Sequence, residues 1–236
     1  MKIILFGYGS IGQRHAANLK ALRPGVQLEI VDALKGYPGP VELVADGVII
    51  ATPTETHAEL LKAWSGMPVY CEKPLAATEF QPYADHCAVG YQYRFHSEIP
   101  RLAFSAAKTE VLHFHARDDL LTRYGPHVGA IMAAHAIDLA LWLFGPALNV
   151  QLASDGVMLR GSIAHERGHS TYDYRVDNGP RVSTVTSGKV FELSANNQMY
   201  SDALGAWLGW IETGRRDERT ATLADGLAVD KVLAHV

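Results

Sequence analysis

The chain has 236 residues, of which 48% are hydrophobic and 19% are charged, so it suits one large or two small packed domains and is too apolar to be disordered. Its formal net charge is −4, from 21 Lys and Arg against 25 Asp and Glu, and the basic residues form no run. This charge pattern excludes the basic footprint of proteins that bind nucleic acid or anionic membranes.

The apolar runs are shorter than the roughly 18 to 20 residues needed to span a bilayer, and nothing resembles a signal peptide. The two cysteines, Cys71 and Cys87, are too few for a disulfide framework in a chain of this size. We therefore expect a cytoplasmic protein that interacts with neither a membrane nor nucleic acid.

The first half of the chain alternates short β-branched runs with helical patterns, which is typical of a parallel sheet covered on both faces. The pattern predicts a helix at Ile11–Leu22. Strands are predicted at Lys2–Phe6, Gln27–Val31, Gly47–Ala51 and Pro68–Cys71.

The second half begins with an apolar helix predicted at Val128–Phe144, which ends at Gly145-Pro146. Turn sequences then separate five runs that predict an antiparallel sheet, namely Leu148–Ala153, Val157–Ile163, Ser170–Val176, Arg181–Thr186 and Lys189–Ser194. Helical periodicity returns from Ser201 to Val236. We place a domain boundary after Phe95, which gives domains of residues 1–95 and 96–236.

A glycine-rich hexapeptide, Gly7-Tyr8-Gly9-Ser10-Ile11-Gly12, lies between the first predicted strand and the first predicted helix. It matches G-x-G-x-x-G, in which glycines allow a tight turn and let a pyrophosphate approach the N–H groups of the helix N-terminus. Asp32 follows the second predicted strand, 20 positions after Gly12. A carboxylate there accepts the ribose 2′-hydroxyl of NAD and repels the 2′-phosphate of NADP. The alternative is that Asp32 only caps the loop that follows it.

Four further segments occur in a fixed order along the chain, namely 51–57 (ATPTETH), 71–74 (CEKP), 89–95 (VGYQYRF) and 135–138 (HAID). Together with the glycine-rich turn they resemble the glucose-fructose oxidoreductase / inositol dehydrogenase / MocA family. The Glu72-Lys73-Pro74 tripeptide is the most specific mark, and Thr222–Leu227 resembles the closing helix of the family.

The resemblance implies an N-terminal Rossmann domain with a trimmed, doubly wound parallel sheet. It also implies a C-terminal α+β domain with an open, mostly antiparallel sheet that pairs between subunits of a homo-oligomer. Most such proteins transfer hydride between a nicotinamide and a sugar, a cyclitol or a related hydroxy compound, so we expect NAD as cofactor and a polyhydroxylated substrate. The cofactor-binding residues expected are Gly7, Gly9, Ser10, Ile11, Gly12, Asp32, Thr52, Pro53, His57 and Glu72, the last on the nicotinamide ribose.

By the same resemblance, Lys73 holds and polarises the reacting oxygen, and His135 acts as acid and base. Oxidation of a carbinol needs a cation beside the oxygen and a group that takes its proton, and a histidine titrates near neutrality. The alternative for Lys73 is a surface lysine at the end of a strand. The alternative for His135 is a histidine packed within its helix. Tyr91 and Arg94 are expected substrate contacts, unless they pack the domain junction.

The sequence departs from the family at the helix of His135. Active members usually carry Asp or Asn three or four residues before this histidine, where the present chain has Ile131 and Met132. Another carboxylate would have to serve, and Asp138, Asp118 and Asp119 are the candidates, although Asp138 could instead anchor a domain contact. The alternative function is a catalytically impaired member that binds NAD(H) or a sugar as a scaffold protein.

Only 14 residues, Ala33–Asp46, separate Asp32 from the next strand, where a full Rossmann half has a helix, a strand and a second crossover. A chain of that length reaches roughly 45 to 50 Å when extended, so the deletion is tolerable. The chain is therefore identified as a shortened member of the family. We expect the adenine side of its cofactor pocket to be shallower, and its NAD binding to be weaker, than in a full-length relative.

One metal motif is rejected. Residues 165–169 read H-E-R-G-H, which on a helix would offer two histidines to zinc, but they lie between two predicted strands, with Arg167-Gly168 as a hairpin turn. His113 and His115 alternate on one predicted strand face and are interpreted as solvated or lining a cleft. We expect no metal.

Overall fold

The computed structural model describes residues 1–36, 44–75, 86–99, 109–116, 128–155, 158–176, 182–186 and 190–235. The chain divides into two compact units. The first unit comprises Met1–Phe95 with Asn197–Leu227, and the second comprises His96–Asn196 with Ala228–Val236.

A five-stranded parallel sheet forms the centre of the first unit, in the order β2-β1-β3-β4-β5. Its strands are β1 (Lys2–Phe6), β2 (Gln27–Val31), β3 (Gly47–Ile50), β4 (Val69–Cys71) and β5 (Cys87–Val89). Helix α1 (Ser10–Leu22) follows β1, and helix α2 (His57–Ala63) follows β3. All residues of β3, β4 and β5 are buried, as expected for strands covered on both faces, and the predicted Rossmann-like sheet is confirmed.

The second unit contains helix α3 (Val128–Phe144) and a six-stranded sheet in the order β11-β10-β6-β9-β8-β7. The strands are β6 (Thr109–Ala116), β7 (Ala147–Ser154), β8 (Met158–His165), β9 (Gly168–Val176), β10 (Val182–Thr186) and β11 (Val190–Ser194). Only the β6–β9 pairing among these strands is parallel, so the prediction of a mostly antiparallel sheet is confirmed.

Helices α4 (Asn197–Thr213) and α5 (Leu223–Leu233) complete the chain. We expect all of residues 197–236 in the second domain from the sequence, but the structure groups 197–227 with the first unit. The physical reason is Trp207 on α4, which is fully buried in the core of the first unit with its ring 5.7 Å from that of Tyr70. A Cβ at Gly47 would lie 3.0 Å from the Trp207 ring, so the glycine leaves room for the indole.

The H-E-x-x-H motif lies on a hairpin, not on a helix. Strand β8 ends at His165 and β9 begins at Gly168, which confirms the predicted turn. Both ring nitrogens of His165 contact oxygens of its own unit, 3.0 Å from the Gly145 carbonyl and 2.8 Å from Ser170 Oγ. Burial lowers the pKa of His165, so this side chain acts as a neutral packing residue.

In the described part of the chain, no helix is both long enough and apolar enough to cross a membrane.

We expect Trp207→Ala to lower the free energy of unfolding by about 3–5 kcal/mol, because it leaves a large cavity between α4 and the sheet. Trp210→Ala is the control, because Trp210 lies on the same helix but is only half-buried. It should lower the free energy of unfolding clearly less. Urea unfolding of both variants measures the difference. Equal losses would mean that the packing of α4 on the parallel sheet is not what stabilises the first unit.

Candidate functional site

The strand order of the first unit creates a crevice at the carboxyl ends of its strands. Strand β2 lies on one side of β1 and β3 on the other, so the chain leaves β1 and β3 in opposite directions around the sheet. Ligands of open α/β sheets bind at such switch points. The segments that leave the strands here are 7–9, 51–53, 72–74 and 90.

The glycine-rich turn packs tightly on the end of β3. Gly7 has φ +86°, and a Cβ there would lie 2.5 Å from the Ala51 carbonyl oxygen and 2.8 Å from the Thr52 nitrogen. A Cβ at Gly12 would collide with the Gly7 carbonyl oxygen. Both positions therefore require glycine, and the turn is as tight as the dinucleotide motif demands.

Helix α1 begins directly after this turn. Gly9 caps the helix without a side chain, and its carbonyl accepts the first helical bond, from Gln13 N at 2.9 Å. The first turn of the helix holds no acidic residue. Its N–H groups have no intrahelical partners, so the backbone presents donors and a positive dipole end that fit an anionic pyrophosphate.

The Asp32 carboxylate braces the glycine-rich turn. The Tyr8 N–H donates to Asp32 Oδ2 at 2.7 Å, next to the bond from Gly7 N to the Val31 carbonyl at 2.9 Å. The short turn at Ala33–Lys35 receives no side-chain bond from Asp32, whose carboxylate bonds the glycine-rich turn instead. A carboxylate offers about four lone pairs, which leaves acceptor capacity for a ribose hydroxyl.

The turn after β3 is held by its own hydroxyls and by His57. Thr56 Oγ1 donates towards Thr52 Oγ1 at 2.7 Å and the Pro53 carbonyl at 2.8 Å. His57, buried at the start of α2, contacts the Thr52 carbonyl with Nε2 at 2.9 Å and the Pro74 carbonyl with Nδ1 at 2.8 Å. His57 therefore lies behind the turn and fixes its backbone.

Glu72 lies at the end of β4 with a nearly buried carboxylate. Its Oε1 is 2.7 Å from Nε2 of His15, a fully buried residue of α1. A Cβ at Gly90 would lie 3.0 Å from both Cδ and Oε1 of Glu72, so glycine is needed where β5 ends. Lys73 follows, half-buried, and a cis peptide bond joins it to Pro74.

Arg94 and Tyr91 are both buried in the structure. Arg94 Nη2 lies 3.3 Å from Asp225 Oδ1, at the start of α5. Burial alone would raise the pKa of the Asp225 carboxyl, but the Arg94 charge and hydrogen bonds from Thr222 bring it below its ordinary value. For Arg94 these contacts favour the packing alternative over a substrate contact.

Helix α3 carries the remaining predicted site residues, in the second unit. His135 and Asp138 are buried and three residues apart, which places them on the same side of the helix. Ile131 and Met132 occupy the preceding turn, at the positions where the family usually has Asp or Asn.

Two pairs of predicted residues were considered for a carboxylate or metal-binding role. Asp118 and Asp119 lie outside the described residues, and His113 and His115 lie on β6. Among the residues that the structure describes, no cluster of three or more His, Cys, Asp and Glu side chains could hold a metal ion.

Sequence reasoning missed His15 and Gly90. The signal for His15 is a histidine on the buried face of an amphipathic helix, beside Gly12, Ala16 and Leu19. Gly90 follows a three-residue strand, and nothing in the sequence marks the carboxylate that it accommodates.

Comparison with known proteins supports the family resemblance, although no protein-family model matches the chain. Myo-inositol 2-dehydrogenase of Thermotoga maritima is 26% identical over 198 residues, which cover 67% of this chain and 59% of the relative. A scyllo-inositol 2-dehydrogenase (NAD(+)) of Bacillus subtilis is 30% identical over 125 residues, which cover 40% of this chain and 36% of the relative. The chain thus spans about three fifths or less of the length of these relatives.

The fold of the chain is shared with solved structures. The WlbA (WbpB) dehydrogenase of Thermus thermophilus, solved in complex with NAD and UDP-GlcNAcA, superposes with a TM-score of 0.75 at 17% identity. The superposition covers 99% of this chain and 94% of that one. Together, the sequence relatives and the shared fold confirm the predicted resemblance to the glucose-fructose oxidoreductase / inositol dehydrogenase / MocA family.

We expect Gly12→Ala to abolish measurable NADH binding, because its Cβ would push the Gly7 carbonyl out of the turn. Gly66→Ala is the matched control, since a Cβ at Gly66 meets nothing within 4 Å. Fluorescence titration with NADH, alongside a thermal melt of each variant, measures the effect. Unimpaired binding by a folded Gly12→Ala protein would show that the turn does not hold the cofactor.

Proposed function

We propose that the protein is an NAD-dependent oxidoreductase that moves hydride between nicotinamide and a hydroxyl or carbonyl carbon of a polyhydroxylated substrate. One observation carries the proposal: the glycine-rich turn, Asp32 and the Lys73 segment all leave the parallel sheet at the same edge, around its switch point. This is the edge at which open α/β sheets bind dinucleotides.

The cofactor-binding roles follow from the chemistry of the groups present. The N–H groups at the start of α1 would hold the pyrophosphate, next to Gly7, Gly9 and Gly12. The Asp32 carboxylate would accept a hydrogen bond from the adenosine ribose, and its charge would repel the 2′-phosphate of NADP. Bound NAD supplies the hydride acceptor or donor. Thr52, Pro53, His57 and Glu72 line or support the turns after β3 and β4.

The reacting oxygen needs a cation and a proton acceptor. We assign the cation to Lys73, whose ammonium would stabilise the developing negative charge on that oxygen, and the proton transfer to His135. Both roles remain proposals, as do the substrate contacts of Tyr91 and Asp138. Oligomerisation through the sheet of the second unit also remains a prediction.

A sugar, cyclitol or sugar-nucleotide substrate is proposed from the relatives. Their names are those of inositol 2-dehydrogenases, and the Thermus dehydrogenase was solved with a sugar nucleotide. The sequence likeness extends over two thirds of the chain, which supports the same substrate chemistry.

A second candidate function is favoured by Ile131 and Met132. Their aliphatic side chains can neither orient the His135 imidazole nor relay a proton, so catalysis would depend on Asp138 or on another carboxylate. The second candidate is a protein that binds NAD(H) or a sugar without turnover.

A dehydrogenase screen over cyclitols, sugars and sugar nucleotides, with Lys73→Met as the key variant, tests the proposal. We expect Lys73→Met to lower kcat about 10²–10³-fold, the usual effect of removing a group that stabilises developing charge. Lys62→Met, at an exposed position on α2, is the matched control and should retain wild-type turnover.

The outcomes separate the two candidate functions. Turnover that is unchanged in Lys73→Met would refute the assignment of this lysine. Wild-type protein that binds NADH yet oxidises or reduces no substrate in the screen would support the binding protein instead.

A further inference from the structure

The residues on both sides of Lys73 are held by buried imidazoles. On one side, Glu72 Oε1 lies 2.7 Å from His15 Nε2. On the other, the Pro74 carbonyl lies 2.8 Å from His57 Nδ1. His15 and His57 are 0% and 1% exposed, so neither imidazole competes with water for these contacts.

The two histidines come from the two elements that begin at the cofactor-binding turns. His15 belongs to α1, which the glycine-rich turn opens, and His57 begins α2 after the turn that follows β3. His57 also contacts the Thr52 carbonyl at 2.9 Å, so one ring joins the end of β3 to the segment after β4. Each cofactor-binding turn is thereby tied to a residue next to Lys73.

The contacts of His57 are specific for a donor. Carbonyl oxygens only accept hydrogen bonds, so the ring nitrogen that carries the proton donates to the carbonyl that it faces, that of Thr52 or that of Pro74. In His57→Leu, the side chain would have no N–H to donate to the Thr52 or Pro74 carbonyl. In His57→Gln, the amide would still offer two N–H donors. A buried acceptor that loses its partner costs more than the bond itself contributed.

The contact of His15 is equally directional. Among the described residues, Nδ1 of His15 has no hydrogen-bond partner, so the ring is best satisfied with its proton on Nε2, donated to the Glu72 carboxylate. The ring edge packs against Tyr70 with centroids 5.3 Å apart, and Gly90 closes the other side of the carboxylate. The His15 hydrogen bond and the close approach of Gly90 therefore hold the Glu72 carboxylate in place.

The buried carboxylate also leaves an electrostatic signature. Burial raises the pKa of Tyr70 well above its ordinary value, and the neighbouring Glu72 charge raises it further. The pKa of Tyr200 is raised by the same two causes, burial first. The Glu72 carboxyl thus lies close to both buried phenols, and Lys73 follows it in the chain.

We propose that His15 and His57 are positioning residues that hold the Glu72 side chain and the Pro74 backbone on either side of Lys73 and so set where the Lys73 ammonium stands. Its catalytic consequence rests on the proposed function, since a displacement of about 1 Å at a reacting group costs about 10²-fold in rate. The positioning itself requires neither cofactor nor substrate.

The direct test measures the reactivity of Lys73 in the ligand-free protein. Wild type, His15→Leu and His57→Leu are labelled briefly with an amine-reactive reagent, and the modification of Lys73 relative to exposed Lys62 is read by peptide mass spectrometry. His15→Gln and His57→Gln retain an N–H donor and are the rescue variants. His165→Leu is the matched control, a buried imidazole of the second unit that also bonds a carbonyl.

We expect the labelling of Lys73 relative to Lys62 to rise in both leucine variants, to return towards wild type in both glutamine variants, and to stay unchanged in His165→Leu. Equal labelling in all folded variants would overturn the proposal. A change of the same size in His165→Leu would also overturn it, since general loosening would then be the cause.

Kinetics supply the second readout. In an active enzyme, the leucine variants should lower kcat about 10²-fold, and the glutamine variants should recover part of kcat. A wild type without activity or NADH binding would count against the proposed function, and the labelling result would still decide the roles of the two histidines.

Discussion

The close approach of the glycine-rich turn to the end of β3 is the constraint on which the rest of the first unit depends. Gly7 passes so near the Ala51 carbonyl that any side chain would part the two segments. Gly12 in turn brings the first turn of α1 against Gly7, and Asp32 ties β2 to the same turn through the Tyr8 N–H. Three consecutive pieces of the chain are thus fixed around one point, where the helix dipole and free N–H groups favour an anion.

The chemistry of the site extends outward from that point. Strand β4 lies parallel to β3 and beside it, so Glu72 and Lys73, which follow β4, lie at the same edge of the sheet as the turn after β3. Buried histidines then connect this segment to α1 and α2, the helices that follow the glycine-rich turn and the turn after β3. A cofactor held by the turns and a lysine held by the histidines would share one rigid frame, and such a frame is what preorganised catalysis needs.

The sequence predicted the parallel strands to within about a residue, because apolar runs bounded by Gly and Pro mark buried strands well. Strand β5 was missed, since three residues carry no periodicity. Helical periodicity predicted the C-terminal helices but not the sheet on which they pack. The burial of Trp207 in the core of the first unit places α4 on the parallel sheet. The tight turn at the glycines was predicted because the spacing of the motif encodes it. His15 and the Arg94–Asp225 pair were not, because their partners lie 57 and 131 residues away along the chain.

Equilibrium titration of the wild-type protein with NADH and with NADPH tests most directly whether the glycine-rich turn and Asp32 form a dinucleotide site. The account predicts that NADH binds, more tightly than NADPH because of the Asp32 charge. It also predicts an affinity weaker than sub-micromolar, because the stretch between Asp32 and Gly47 is short. Absence of NADH binding at millimolar concentration, or tighter binding of NADPH, would contradict it.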